Sequence, residues 1–342
     1  MAKATIDDVA KLAGVSIKTV SRVVNREPNV RATTQARVEK AIQELNYRPN
    51  LSARNLASQR AHLIGLIYDD PSAYEFPSFG YVIRMQQGTL QACRDANYEL
   101  LIHPCNYRNT DLDQNIRAFI ERTRPAGIVL AAPVSSMPKV ADAIAATDTP
   151  FVRLSPGESD GEHLAIGTND REASAEMTSY LASLGHKKIG FIRGIHRAVE
   201  NRFDGFRDGL EQSGLELNEK WIAAGDQSFE SGFECAKTLL EMKDRPTAIF
   251  AANDLMAVAV IRVAVNMGID VPGELSVAGF DDIAFARQGI PTLTTIRQPL
   301  SKMSEQAAKY LIDGNGRNAD SVETVVVPAS LIMRESTGPA PE

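Results

Sequence analysis

Ile17, Lys18, Ser21 and Arg22 fall within two turns at helical spacing and so share one face, with Val20, Val23 and Val24 turned elsewhere. On that face an arginine can give two donors to guanine O6 and N7. A lysine can reach a guanine or a phosphate, and a serine can do either. Ile17 adds an aliphatic surface for a thymine methyl, which accounts for an apolar group among polar ones. Around the face, Thr5, Thr19, Asn25, Arg31 and Thr34 are suited to phosphate contacts that set register without reading sequence. Ser16 caps the helix that carries the face and joins the same surface.

The elements that must position these residues are legible nearby. Thr5 with Asp8 three positions on marks a helix start, and Ile6, Val9, Ala10 and Ala13 recur at helical spacing. Gly14 stops this first helix, since glycine tolerates the left-handed backbone past a helix end. A second helix follows from Ser16 to about Asn25. A third runs from about Thr33 to Leu45 and carries Val38, Ala41, Ile42 and Leu45. Helix, glycine turn and helix with a polar outer face is a helix-turn-helix pattern, whose second helix enters a DNA major groove. A three-helix protein-binding module would share the helices without needing the cationic face.

Charge supports the division. Residues 1–60 carry 11 Lys and Arg against 5 Asp and Glu, a net +6, while the remaining 282 carry 26 against 38, a net −12. A basic head on an acidic body assigns the polyanion to the head alone. No run of about 18 apolar residues is present, so no membrane span is expected. The start lacks an apolar h-region, and the cysteines Cys93, Cys105 and Cys235 have no metal-ligand spacing. These features predict reduced thiols, no metal, no cofactor and a cytoplasmic location.

The run TIDDVAKLAGVSIKTVSRVVN followed by ELNYRPNLSARNLAS resembles the headpiece and hinge of the lactose/galactose repressor family of bacterial transcription regulators. The resemblance implies a hinge helix that folds on operator DNA, with Leu56 as the leucine that two partners push into the minor groove. An apolar wedge of this kind partly unstacks a base step and bends the duplex. Asn50, after Pro49, suits the N-cap of that helix, Arg54 and Asn55 flank the wedge, and Ala53 joins the same DNA-binding set. So short a helix is marginal in water without its DNA.

From Leu63 the chain alternates short apolar runs with amphipathic stretches, which predicts parallel sheets in βαβ units. Strands are expected at 63–67, 99–103, 127–130, 151–154, 188–192, 248–251 and 276–279. Ligands in such folds bind beyond the carboxyl ends of strands. The resemblance implies a body like that of periplasmic sugar-binding proteins, two parallel-sheet subdomains joined by three crossovers near 166–170, 296–298 and 326–328. The fold class expected is therefore an all-α helix-turn-helix head on an α/β body. Its divisions are a head at 1–46, a hinge at 47–61, a first subdomain from 62–166 with 298–326, and a second from 167–297 with 327–338.

The same resemblance implies an effector set. Arg202 in VENRFDGF matches an arginine that donates to ligand oxygens, and Asn253 in AANDLMA and Asp281 in AGFDD match groups that take sugar hydroxyls. Such a set suits a polyol, because a carboxylate accepts, an amide does both and a guanidinium donates as a fork. Tyr68, Asp69, Ser155 and Gln298 sit at matching strand ends. Gln227 stands where many members carry a stacking aromatic, with Phe229 two residues on as its replacement. Asp281 could instead cap the next helix. His103 near a strand end could face the cleft, whereas His186 reads as a turn residue and Trp221 as packing at a strand start.

Neither G-x-G-x-x-G nor G-x-x-x-x-G-K-[ST] is present, so the dinucleotide and P-loop readings lack their signatures, and the cleft reads as a binding site rather than a catalytic one. A purine effector needs flat aromatic walls, and aromatics make up only 6% of the chain, which favours a mono- or disaccharide. The apolar segment LMAVAVIRVAVNMG needs cover on both sides, from its sheet and from either a twin subunit or the rest of its own. The resemblance implies the twin, a homodimer on two-fold symmetric operator DNA, acting with an inducer or a co-repressor.

Overall fold

The structure, a computed structural model, describes residues 4–24, 30–47, 62–70, 79–157, 162–195, 199–314 and 324–342. It divides into two units, 1–61 and 62–342. In the first, α1 (Ile6–Ala13), α2 (Ile17–Val24) and α3 (Ala32–Glu44) enclose a core of Val9, Ala10, Ala13, Val20, Val23, Val38 and Ala41. Thr5 begins α1 with a reciprocal cap. Its hydroxyl accepts from the Asp8 amide at 3.3 Å, and its own amide donates to Asp8 Oδ2 at 2.9 Å. Gly14 ends α1 at φ 63°, the left-handed turn that lets α2 start three residues later.

The second unit holds two six-stranded sheets. The first has the order β11-β5-β4-β3-β1-β2, with β1 (Leu63–Asp69), β2 (Glu99–Cys105), β3 (Gly127–Leu130), β4 (Phe151–Leu154), β5 (Ala165–Gly167) and β11 (Thr324–Val326) all parallel. The second runs β12-β10-β9-β8-β6-β7, from β6 (Ile189–Arg193), β7 (Ile222–Ala224), β8 (Ala248–Ala251), β9 (Ser276–Phe280), β10 (Thr294–Arg297) and β12 (Ser330–Ile332). Only the β10–β12 pair in it is antiparallel.

Helices cover both faces of the first sheet. Ile64 and Leu66 point into the core shared with α4 (Phe79–Asp95) and α12 (Leu300–Ile312). Ile67 points into the opposite core, with α5 (Leu112–Thr123) and α6 (Pro138–Ala145). Around the second sheet lie α7 (Asp170–Ser183), α8 (Glu200–Gln212), α9 (Phe229–Leu240), α10 (Asp254–Met267) and the short α11 (Ala284–Gln288).

The chain passes between the sheets from β5 to α7, from β10 to α12 and from β11 to β12. Each passage leaves a sheet at its carboxyl edge, so residues distant in sequence meet there.

The apolar segment that becomes α10 is covered by its own chain. Met256, Ala257, Val260, Val263 and Ala264 share one core with Cys235, Ala236, Leu239 and Leu240 of α9, and only Arg262 and the stretch from Val265 emerge. Burial within one subunit thus accounts for most of its apolar residues, while Val265 and Met267 near its end stay 57% and 43% exposed. His186 is likewise no turn residue. It is 1% exposed and bonds Thr247 Oγ1 and Ser276 Oγ at 2.9 Å, fastening β8 and β9 to the tail at Gly338. Trp221 is buried packing, as expected, but it ends a short 3₁₀ turn just before β7.

Candidate functional site

On α2 the valines and the polar residues part as the spacing requires. Val20 and Val23 are buried, while Lys18 and Arg22 are exposed and Ile17 is 47% exposed. Ser16 caps the helix by accepting from the Thr19 amide at 3.2 Å, and the two hydroxyls bond each other at 2.9 Å. The Thr5 hydroxyl is similarly held by Asp8 Oδ2 at 2.7 Å, which ties it to the cap first. Ser21 and Thr34 are half-buried and Arg31 is exposed. Asn25, Asn50, Ala53, Arg54, Asn55 and Leu56 lie outside the described residues.

In the second unit one cavity of about 200 Å³ opens at the carboxyl ends of both sheets, the size for a small molecule rather than a polymer. Tyr68, Asp69, Ser155, Arg202, Gln227, Asn253 and Asp281 all line it. Arg202 is its fixed point. Buried against the Phe280 ring at 3.7 Å, it donates from Nε to Asp170 Oδ2 at 3.0 Å and from Nη1 to the Ala252 carbonyl at 2.6 Å. Asp281 Oδ1 lies 3.5 Å from the same Nη1.

Asp281 caps no helix; Ile283 stands at the start of α11. Burial raises its carboxyl to about 6, although Arg202 and Gln298 pull the other way. Asn253 has two tasks. Its Oδ1 caps α10 by accepting from the Met256 amide at 3.0 Å, and its Nδ2 donates to the Gln227 carbonyl at 2.9 Å. Asp69 Oδ1 accepts from the Tyr107 amide at 3.0 Å, and burial raises its carboxyl.

Two features mark the wall as built for something. Ser155 (φ 46°), Gln227 (φ 73°) and Asp281 (φ 115°) all hold left-handed backbone that costs free energy in non-glycine residues. Ser155 Oγ and Gln227 Oε1 are buried with no hydrogen-bond partner among the described residues.

Two expected residues fall outside the wall. Gln298 is 1% exposed behind Asp281, donating to its Oδ1 at 2.6 Å, so it holds the carboxylate rather than the cavity. Phe229 opens α9 after the Gln227–Ser228 turn and packs on Phe233 one helical turn away, centroids 6.4 Å apart. His103 stacks on Phe119 at 3.9 Å and is not among the lining residues.

The wall also holds Tyr81, Tyr107, Arg108, Asp226 and Ser228, which motif reading does not single out. Tyr107 and Arg108 follow the carboxyl end of β2, and Asp226 and Ser228 flank Gln227, so the strand-end rule points to them. Tyr81 lies on α4 and carries no such signal. Three tyrosines on one cavity overturn the argument from scarce aromatics, because a chain-wide fraction says nothing of where the rings gather.

Comparison with known proteins agrees along the whole chain. The family described as bacterial regulatory proteins, lacI family, matches residues 5–50, and a periplasmic binding protein-like domain matches 178–337. The HTH-type transcriptional repressor PurR of Proteus mirabilis (strain HI4320) is 32% identical over 99% of this chain and 98% of its own. The protein of that name from Yersinia pestis bv. Antiqua (strain Antiqua) is 33% identical over the same shares. Among solved structures, the Lac repressor dimer bound to operator and an anti-inducer aligns with a TM-score of 0.80 at 26% identity, covering 98% of this chain and all of that one. The complex of the transcriptional regulator CelR with cellobiose gives 0.73 at 26% identity over the same shares. With a helix-turn-helix head, two crossed parallel sheets and whole-length likeness to repressors, this chain belongs to the lacI family of bacterial regulatory proteins, which are DNA-binding transcriptional repressors and not enzymes.

Proposed function

We propose that the chain represses carbohydrate-use genes and is switched by an unphosphorylated mono- or disaccharide held in the cavity around Arg202 and Asp281. The observation that carries this reading is the convergence there of left-handed residues and unpaired polar atoms. Strain of this kind persists only where the surroundings impose it, and it gathers at ligand clamps. The wall is rich in acceptors: three carboxylates, the Gln227 side-chain amide oxygen Oε1 and the Ser155 hydroxyl. Arg202 is already engaged by Asp170 and Asp281, so the wall suits a ligand that brings many hydroxyl donors and no added negative charge. In this reading Arg202 and Asn253 donate to ligand oxygens, Asp281 and Asp69 accept, and Gln298 acts through Asp281.

The head reads a two-fold operator through Ile17, Lys18, Ser21 and Arg22, and the chain works as a homodimer whose paired hinges, residues 47–61, insert Leu56 at the operator centre. The Lac repressor dimer on its operator, matched over the whole chain, supports that arrangement. Ligand binding shifts the balance between two orientations of the first subdomain, and coupling of about 1–3 kcal/mol is enough to change operator occupancy.

A purine acting as co-repressor is the second reading, favoured by Tyr68, Tyr81 and Tyr107 on the cavity and by the relatives named PurR. Calorimetric titration with neutral mono- and disaccharides against purine bases separates the two. Saturable binding of a saccharide, lost in Asp281→Ala while that variant still binds DNA, supports the first reading. Binding of a purine base alone replaces it with the second.

A further inference from the structure

Beside the cavity but outside its wall, four guanidinium groups gather on one carboxylate. Asp282 is fully buried, with Arg287 Nη2 at 2.7 Å, Arg297 Nε at 2.6 Å and Arg334 Nη2 at 2.5 Å from its oxygens. Arg84 approaches to 4.0 Å and donates to the carbonyls of Asp281 and Asp282. The Asp282 carboxylate thus faces four guanidinium groups, and Asp281 adds a second negative charge that acts on Arg84, so positive charge remains in excess. Burial alone would raise the Asp282 carboxyl, but the hydrogen bonds from Arg287, Arg297 and Arg334 hold it at about 2. The arginines still repel one another. Burial lowers Arg84, Asp282 counters it, and the charges of Arg287 and Arg297 lower it further.

The cluster also keeps donors in reserve. The side chains of Arg287 and Arg297 are 51% and 44% exposed. Among the described residues, Nη1 of Arg287 and both Nη atoms of Arg297 make no hydrogen bond. Guanidinium forks with open edges and uncompensated charge match the oxygens of a phosphate better than any neutral group.

We propose that Arg84, Arg287, Arg297 and Arg334 form a second ligand site, for the phosphate group of a small metabolite carrying two or more negative charges. The site is distinct from the saccharide cavity and does not depend on what that cavity holds, since none of the four arginines lines it. Arg84 belongs to α4 on the first sheet, whereas the other three belong to the second-sheet half. A bound phosphate would therefore tie the two halves together beside the turn that carries Asp281.

The test is calorimetric titration of the full chain with inorganic pyrophosphate, ionic strength held constant with sodium chloride, on wild type and Arg287→Gln/Arg297→Gln. Both replaced side chains are about half exposed, so the fold should survive; far-ultraviolet circular dichroism checks it, and Arg297→Gln alone provides a milder variant. The expected result is one saturable site per chain, weakened at least about tenfold in the double variant and less in the single one. Equal binding by wild type and double variant would move the anion elsewhere, the basic head included, and overturn the proposal. Absence of saturable heat in wild type would overturn it too. So would a double variant that sediments as a smaller species with no anion heat in either protein, which would assign the arginines to a contact between copies.

Discussion

Asp281 joins the cavity, through its carboxylate, to the arginine cluster, through its backbone. Its carboxyl is raised to about 6 by burial, against the pull of Arg202 and Gln298. An acid whose pKa rises on folding adds stability below its unfolded pKa, and that contribution disappears as pH rises through the folded value. The melting temperature of wild type relative to Asp281→Asn should therefore fall as pH climbs from about 4 to about 7. A scanning-calorimetry series with a flat difference would show that the carboxyl is not held in this way. Ligand affinity should move oppositely, because an ionised Asp281 accepts hydroxyls better than a neutral one. Arg202, Asn253 and Asp281 came from the family resemblance, and each lines the cavity. Gln298 was placed there by strand-end position and Phe229 as a substitute for a stacking aromatic, and neither ground says which way a side chain leaves the turn.

At the scale of elements, α4 and α12 approach closely enough to exclude a single methyl group. A Cβ at Gly88 would lie 1.9 Å from the Ser301 carbonyl oxygen, and backbone cannot yield as a side-chain tip can. Gly88→Ala should destabilise the second unit by about 1–3 kcal/mol, seen as a lower urea midpoint. An unchanged midpoint would mean that the two helices part at little cost. Strands β3, β4 and β8 begin and end where alternation and turn residues put them, since each is a short apolar run buried on both faces. The end strands β7, β11 and β12 are three residues each, too short for any period, and only pairing with a neighbour defines them. The apolar run of α10 shows the converse. Hydrophobicity all round states that a helix is covered, and only packing says by what.

For the whole molecule, the charge division sets the interaction with DNA. A head of net +6 on a body of net −12 should bind duplexes with affinity that falls steeply as salt rises, whichever ligand is present. Leu56→Ala should reduce operator bending, measured by circular-permutation electrophoresis, while ligand affinity of the body is unchanged. Equal bending by both proteins would exclude the wedge. The amino-acid sequence by itself determined the three-helix head, the face of α2, the alternating α/β body and the charge asymmetry, because each follows from local period and composition. Only the tertiary structure decided that Tyr81 meets Arg202 and Asp281, that Gln298 stands behind the carboxylate, and that four arginines share Asp282. Tyr81 and Arg84 come to those meetings from the other sheet's helix, and even the partners nearer in sequence leave separate turns and strands, so packing sets their distances where no local pattern can.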